Sequence, residues 1–168
     1  METRTNLVTG RGNPLTLEGA GVKVGQQAPN FRATTTEMKD VSLSDYRGKT
    51  VILTSYPSID TSVCANQVRS FNQRAAALGD NTVILAISLD LPFAQKRWCA
   101  AEGVENVIPL SDYKFNEFGK AFGLRIRENG LLARATYIID PQGVIKYEEI
   151  VPEITSEPNY EAALAAAK

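Results

Sequence analysis

Thr50-Val51-Ile52-Leu53-Thr54-Ser55-Tyr56, then Pro57 to Thr61, then Ser62-Val63-Cys64-Ala65-Asn66-Gln67-Val68-Arg69-Ser70-Phe71, is the stretch whose reading decides the fold. The first seven residues are β-branched and apolar enough to form a buried strand. After a polar loop, Val68, Phe71, Ala75 and Leu78 recur at spacings of three and four, which predicts a helix from about Ser62 to Leu78. Gly79-Asp80-Asn81 ends it, and Thr82-Val83-Ile84-Leu85-Ala86-Ile87-Ser88 reads as a second buried strand.

Outward from this strand–helix–strand unit, Pro92 suits the first position of a further helix that Gly103 closes. Val107-Ile108-Pro109-Leu110 is a short strand candidate, and a helix is expected from about Lys114 to Phe122. Arg134 to Ile139 and Val144 to Tyr147 flank Asp140-Pro141-Gln142-Gly143, the chemistry of a hairpin turn, and Asn159 to Ala167 reads as a last helix. Upstream, Asn6 to Thr9 and Pro14 to Leu17 flank Gly10-Arg11-Gly12-Asn13, another hairpin signal. Asn30 to Thr35 and Val41 to Leu43 are short strand candidates before the turn at Asp45 to Lys49. The pattern predicts an α/β fold with a mixed central sheet flanked by helices. One domain is expected over residues 1–168, with residues 1–20 as an N-terminal β-hairpin extension.

The chain of 168 residues is 43% hydrophobic and 22% charged, as in ordinary globular domains. Eighteen basic and nineteen acidic side chains give a net charge of -1, no electrostatic footprint for nucleic acid or an anionic membrane. No apolar stretch reaches the roughly 18–20 residues of a bilayer span, and the first residues lack the apolar core of a secretory signal. A cytoplasmic location is the expectation. The absence of histidine removes Ser-His-Asp and Cys-His catalysis and most zinc sites. The two cysteines are too few for an iron–sulfur cluster or an all-cysteine zinc site in one chain. In a reducing compartment such a pair is either redox-active or two small buried side chains.

Cys64 falls in the first turn of the helix predicted after the buried strand. An ordinary thiol is only about 3% thiolate at neutral pH, and the unpaired amides and positive dipole end of a helix N-terminus favour the anion. A nearby arginine would add to this, with Arg69, Arg97, Arg125, Arg127 and Arg134 all available. Thr61, three residues earlier, can turn its hydroxyl toward the sulfur or serve as a helix cap. Pro57 either shields the site, having no N–H to donate, or simply forms the loop.

Pro57-x3-Thr61-x2-Cys64 resembles the active-site signature of the peroxiredoxin family. The longer string Pro57-Ser58-Ile59-Asp60-Thr61 with Val63-Cys64 is similar to its thiol peroxidase branch. Leu91-Pro92-Phe93-Ala94-Gln95-Lys96-Arg97-Trp98-Cys99 resembles that branch's resolving-cysteine helix. Leu131-Leu132-Ala133-Arg134-Ala135 resembles the strand with its active-site arginine, and Gly12 to Leu17 its N-terminal hairpin. Ser62 departs from the branch, which often has proline or glycine there, and leaves the donors in place.

The resemblance implies a thioredoxin-like fold, a peroxidatic Cys64, and an active site completed by Pro57, Thr61 and Arg134. It implies no metal, haem or flavin cofactor, a hydroperoxide substrate, thioredoxin as reductant, and a homodimer. Cys99 is implied as the resolving thiol that closes an intramolecular disulfide with Cys64. Both cysteines fall in predicted helices, and a disulfide needs α-carbons within about 7 Å, so the expectation is that both helices open locally to meet. Alkyl hydroperoxides are expected to bind against Phe93, Trp98, Leu131 and Leu132, which as core residues would read the same way. The competing function is a redox sensor whose Cys64–Cys99 disulfide switches a partner contact and needs neither Thr61 nor Arg134. A thioredoxin-type disulfide reductase fits less well, because Cys64 has no Cys-x-x-Cys partner.

Overall fold

In a computed structural model, which describes residues 2–168, the chain forms two sheets and four α-helices. Met1, the first residue of the expected hairpin extension, lies outside the described residues. The strands are β1 (Thr3–Gly10), β2 (Asn13–Glu18), β3 (Arg32–Thr35), β4 (Asp40–Ser42), β5 (Thr50–Ser55), β6 (Thr82–Ser88), β7 (Ile108–Ser111), β8 (Arg125–Ile126), β9 (Ala135–Ile139) and β10 (Ile145–Ile150). The helices are α1 (Ser62–Arg74), α2 (Pro92–Glu102), α3 (Glu117–Phe122) and α4 (Tyr160–Ala167).

The main sheet has the order β10-β9-β5-β6-β7-β3-β4, with β5, β6 and β7 parallel and the other pairs antiparallel. It is the mixed sheet expected from the alternating elements. Successive side chains of a strand face opposite ways, so its central strands divide their apolar residues between two cores. Ile52, Tyr56, Ile84, Ala86 and Ile138 pack with Val68 and Phe71 of α1 and Ala163 of α4. Val51, Leu53, Leu85, Ile87, Tyr137 and Ile139 pack on the other face with α3 and the N-terminal hairpin. There Phe31, Phe118, Phe122 and Tyr137 meet edge-on or stacked, with ring centroids 4.9–5.8 Å apart.

The N-terminal hairpin turns through Arg11 and Gly12, both at positive φ, the conformation of a tight two-residue hairpin loop. The two-residue strand β8 joins it to make the second sheet, a pairing too short to register in the sequence pattern. Pro92 opens α2 and Gly103 ends it in the left-handed region, as expected. Two helix boundaries differ from the expectation by several residues. The first helix stops at Arg74 and tightens into a 3₁₀ turn over Ala75–Ala77. The expected Lys114–Phe122 helix starts only at Glu117, because Asn116 is left-handed and Asp112 caps the helix from outside it. Among the described residues, no helix is long and apolar enough to cross a membrane.

Asp112 is buried, and its carboxylate accepts the Phe118 and Gly119 amides at 3.1 and 2.9 Å. Burial pushes its pKa from 3.8 up to about 6 despite those bonds. The folded state therefore holds this proton more tightly than the unfolded chain. Its contribution to stability is complete below the unfolded value and is lost as pH rises through about 6. In urea unfolding at about pH 3.5 and pH 7, wild type should lose up to about 3 kcal/mol relative to Asp112→Asn across that interval.

Candidate active site

The site lies past the carboxyl ends of the parallel strands β5 and β6, where α/β folds generally gather their chemistry. Buried Tyr56 and Pro57 leave β5, and the chain turns through Ser58 to Thr61 into α1. Thr61 is the N-cap residue, but its side chain makes no capping bond. Its hydroxyl donates instead to the Ser58 carbonyl at 3.0 Å, alongside its own amide at 3.1 Å. The first intrahelical bond runs from the Ala65 amide to the Thr61 carbonyl, so the amides of the first turn have no cap from Thr61. Neither arrangement open to the Thr61 hydroxyl, toward the sulfur or as a helix cap, is the one seen: the nearby carbonyl holds it.

Cys64 occupies that first turn, with 0% exposure. Arg134, immediately before β9, is 2% exposed and donates from Nη1 to Cys64 Sγ at 3.4 Å. The same Nη1 donates to Gln67 Oε1 at 2.7 Å, while Nε and Nη2 both donate to the Ile154 carbonyl, at 3.1 and 2.7 Å. The backbone around Arg134 is equally fixed. Ser55 Oγ donates to the Ala133 carbonyl, Thr54 Oγ1 to the Ala135 carbonyl, and the Val151 amide to the Arg134 carbonyl. Gln67, buried one turn after Cys64, donates from Nε2 to Thr54 Oγ1 and the Ser55 carbonyl at 2.6 and 3.0 Å. Among the described residues, no carboxylate forms an ion pair with Arg134. In its hydrogen-bond shell, the Cys64 sulfur is the one atom that can become an anion.

The loop before Cys64 is tied to the start of α2 by Asp90. Its carboxylate accepts Ser58 Oγ at 2.8 Å, the Ile59 amide at 2.8 Å and Ser88 Oγ at 2.6 Å. Farther along, Arg69 of α1 forms a two-pronged pair with Glu102 of α2, with its guanidinium over the Trp98 ring. Asp60 and Arg97 approach to 3.7 Å. Cys99 is half-buried in α2 and packs on the cluster that contains Cys64 and Tyr56. Both thiols are free, each in an intact helix. Burial pushes the Cys99 thiol up from its ordinary pKa, and it pushes the Tyr56 phenol up as well.

The structure thus brings Cys64 and Arg134 into contact and places Pro57 and Thr61 in the same loop. Cys99 stands on the facing helix. Three of the four apolar residues expected around a substrate, Phe93, Trp98 and Leu132, do not converge. Phe93 is 65% exposed, Trp98 packs on the Cys64 cluster, and Leu132 lines a separate cavity of about 440 Å³ with Leu89, Asp112 and Phe115. Gln67, Asp90 and the Ile154 carbonyl were absent from the expected site. Gln67 had a signal: it lies three residues after Cys64 and four before Phe71, hence on the inward face.

Residues 23–164 match the Redoxin family. A thiol peroxidase of Listeria innocua is 52% identical over 161 residues, covering 96% of this chain and 97% of its own length. The Bacillus subtilis thiol peroxidase is 50% identical over 161 residues, covering 96% of both. Among solved structures, a peroxiredoxin-like protein from Aquifex aeolicus superposes with a TM-score of 0.89 at 36% identity, covering 97% of this chain and 95% of that one.

Gln67→Leu deprives Arg134 of an acceptor and leaves Thr54 and the Ser55 carbonyl without their amide partner. Loss of buried hydrogen bonds around a charge predicts about 3 kcal/mol of destabilisation, read by urea unfolding at neutral pH.

Proposed function

Because the chain belongs to the Redoxin family, in the thiol peroxidase branch of the peroxiredoxins, and is a thiol-dependent peroxide-reducing enzyme, we propose that Cys64 is its peroxidatic residue, Cys99 its resolving residue, and thioredoxin its reductant. The observation that carries the assignment of Cys64 is the buried Arg134 guanidinium on its sulfur, with no carboxylate to balance it. A desolvated cation stabilises an adjacent anion far more than an exposed one does.

In the first step the Cys64 thiolate attacks the terminal oxygen of a hydroperoxide. A sulfur–oxygen bond forms, the oxygen–oxygen bond breaks, and sulfur is oxidised to sulfenic acid. The departing oxygen takes a proton and leaves as an alcohol, or as water from hydrogen peroxide. Arg134 and the amides of the first turn of α1 are the donors for the charge that develops on the peroxide oxygens. Thr61 has its proton committed to Ser58, so its hydroxyl oxygen is an acceptor for the peroxide O–H. Pro57 contributes a wall without a competing donor. Cys64 is fully enclosed, so peroxide enters as the Thr61–Cys64 turn breathes.

In the second step the Cys99 thiol displaces water from the sulfenic acid to form the Cys64–Cys99 disulfide. Here both thiols sit in intact helices, and resolution requires the bonds of Asp90 to the Ser58–Ile59 loop and the contacts of Asp60 and Arg69 with α2 to release. Burial raises the Cys99 thiol above its ordinary pKa while α2 is folded, which disfavours its thiolate. Exposure removes that penalty, so the resolving thiol gains reactivity only as the helix opens. The reduced dithiol of thioredoxin then restores both thiols and becomes a disulfide itself. Family membership favours hydrogen peroxide and alkyl hydroperoxides as substrates, a homodimer, and a cytoplasmic setting.

In stopped-flow oxidation of the reduced protein, Cys64→Ser should abolish the reaction with peroxide. Arg134→Met should slow it by about 100-fold or more, and Thr61→Val by a similar order. One equivalent of peroxide should remove two hydrogens from wild-type mass. Cys99→Ser should instead stop at the sulfenic acid and go on to sulfinic acid with excess peroxide. Unchanged rates in the Arg134 and Thr61 variants favour the sensor, and a stable sulfenic acid on wild-type Cys64 beside an untouched Cys99 eliminates the resolving role.

A further inference from the structure

We propose that Glu153 is a positioning residue for the peroxide reaction, acting through the segment that holds Arg134 against Cys64. Glu153 lies just past β10 and reaches the N-terminal hairpin. Its carboxylate accepts Thr9 Oγ1 at 2.9 Å, the Arg11 amide at 3.1 Å and the Gly12 amide at 2.9 Å. It also accepts the Thr155 amide and hydroxyl at 2.9 and 2.7 Å. These bonds hold the carboxylate pKa far below its usual range.

The hairpin turn presents its amides outward because Arg11 and Gly12 are both left-handed. Glu153 fills that anion-binding turn from within the chain. On either side of it the backbone is laced to the hairpin: the Thr9 amide donates to the Pro152 carbonyl at 2.7 Å, and the Ile154 amide to the Thr9 carbonyl at 2.9 Å.

The next carbonyl, that of Ile154, takes both Nε and Nη2 of Arg134. Those two bonds orient the guanidinium and leave Nη1 for Gln67 and Cys64. A contact chain therefore runs from the hairpin turn through Glu153 and Ile154 to Arg134 and the sulfur. The hairpin lies far from Cys64 in sequence and touches none of the reacting atoms. Its turn nevertheless fixes the acceptor that aims the arginine. Small displacements of a catalytic donor lower rates steeply, so loosening this anchor should appear in chemistry as well as in stability.

The inference rests on Cys64 and Arg134 acting as proposed above. The test is a double-mutant cycle on the full-length reduced protein, reading the rate constant with hydrogen peroxide and the rate of Cys64 alkylation by iodoacetamide at pH 7. Glu153→Ala should slow peroxide oxidation about 10-fold and alkylation in parallel. Glu153→Gln keeps one acceptor oxygen and should fall in between. In an Arg134→Met background, adding Glu153→Ala should change either rate by less than about 2-fold, because the anchored group is gone. A folded Glu153→Ala protein with wild-type rates overturns the proposal. So does an equal loss in both backgrounds, the mark of a purely structural role. Should Glu153→Ala not fold, the isosteric Glu153→Gln is judged by the same two criteria. Peroxide consumption surviving in Cys64→Ser would instead remove the underlying assignment, a result the cycle alone cannot produce.

Discussion

A guanidinium enclosed in protein without a carboxylate partner is costly, since desolvating a charge is only partly offset by neutral acceptors. Arg134 is in this situation, and much of the surrounding structure serves to hold it there. The Ile154 carbonyl and Gln67 Oε1 accept three of its hydrogen bonds, and the sulfur takes a fourth contact. The backbone on either side is fixed by hydroxyls of β5. Energy spent in this way on a fixed donor is what a preorganised site needs, because the donor then requires no reorganisation when charge develops on a bound peroxide.

The same constraint explains how the helices divide their roles. Val68 and Phe71 anchor the body of α1 in the core, whereas its first turn is approached by polar ties at its edge. Attack on peroxide requires the first turn in place, and the proposed resolution requires it to move. A helix seated by apolar contacts along its body and held by polar ties in the loop that leads into it can loosen that end without losing its seat on the sheet. Individual surface ion pairs such as Arg69–Glu102 and Asp60–Arg97 contribute little each. The Asp90 carboxylate, with two partners in the loop, is the more consequential tie.

What could be read from sequence follows from how local each signal is. The β5–α1–β6 unit was legible because apolar runs and helical spacing are contained within a few residues, and α2 because Pro92 and Gly103 mark its ends. The motif around Cys64 carried its own chemistry. The start of α3 was misplaced because its cap, Asp112, comes from the end of β7 and the left-handed Asn116 interrupts the turn between them. Arg134 was one of several arginines until resemblance selected it, since nothing in its own neighbourhood shows that it will be buried. Glu153 and the Ile154 carbonyl had no signal at all. An acceptor on the main chain has no letter in the sequence, and its role depends on a hairpin more than a hundred residues away.

Without histidine, the chain has no side chain whose unperturbed charge changes near neutral pH. A guanidinium keeps its charge throughout that range. Beyond the ionisation of the thiol that attack requires, control of the site rests on geometry: how firmly the guanidinium is held, and how readily the first turn of α1 opens. The two are governed by different parts of the molecule. The hairpin and the 152–155 segment bear on the arginine, and Asp90 with α2 bears on the turn. That separation allows the reactivity of the sulfur and the mobility needed to resolve it to be set independently within one small fold.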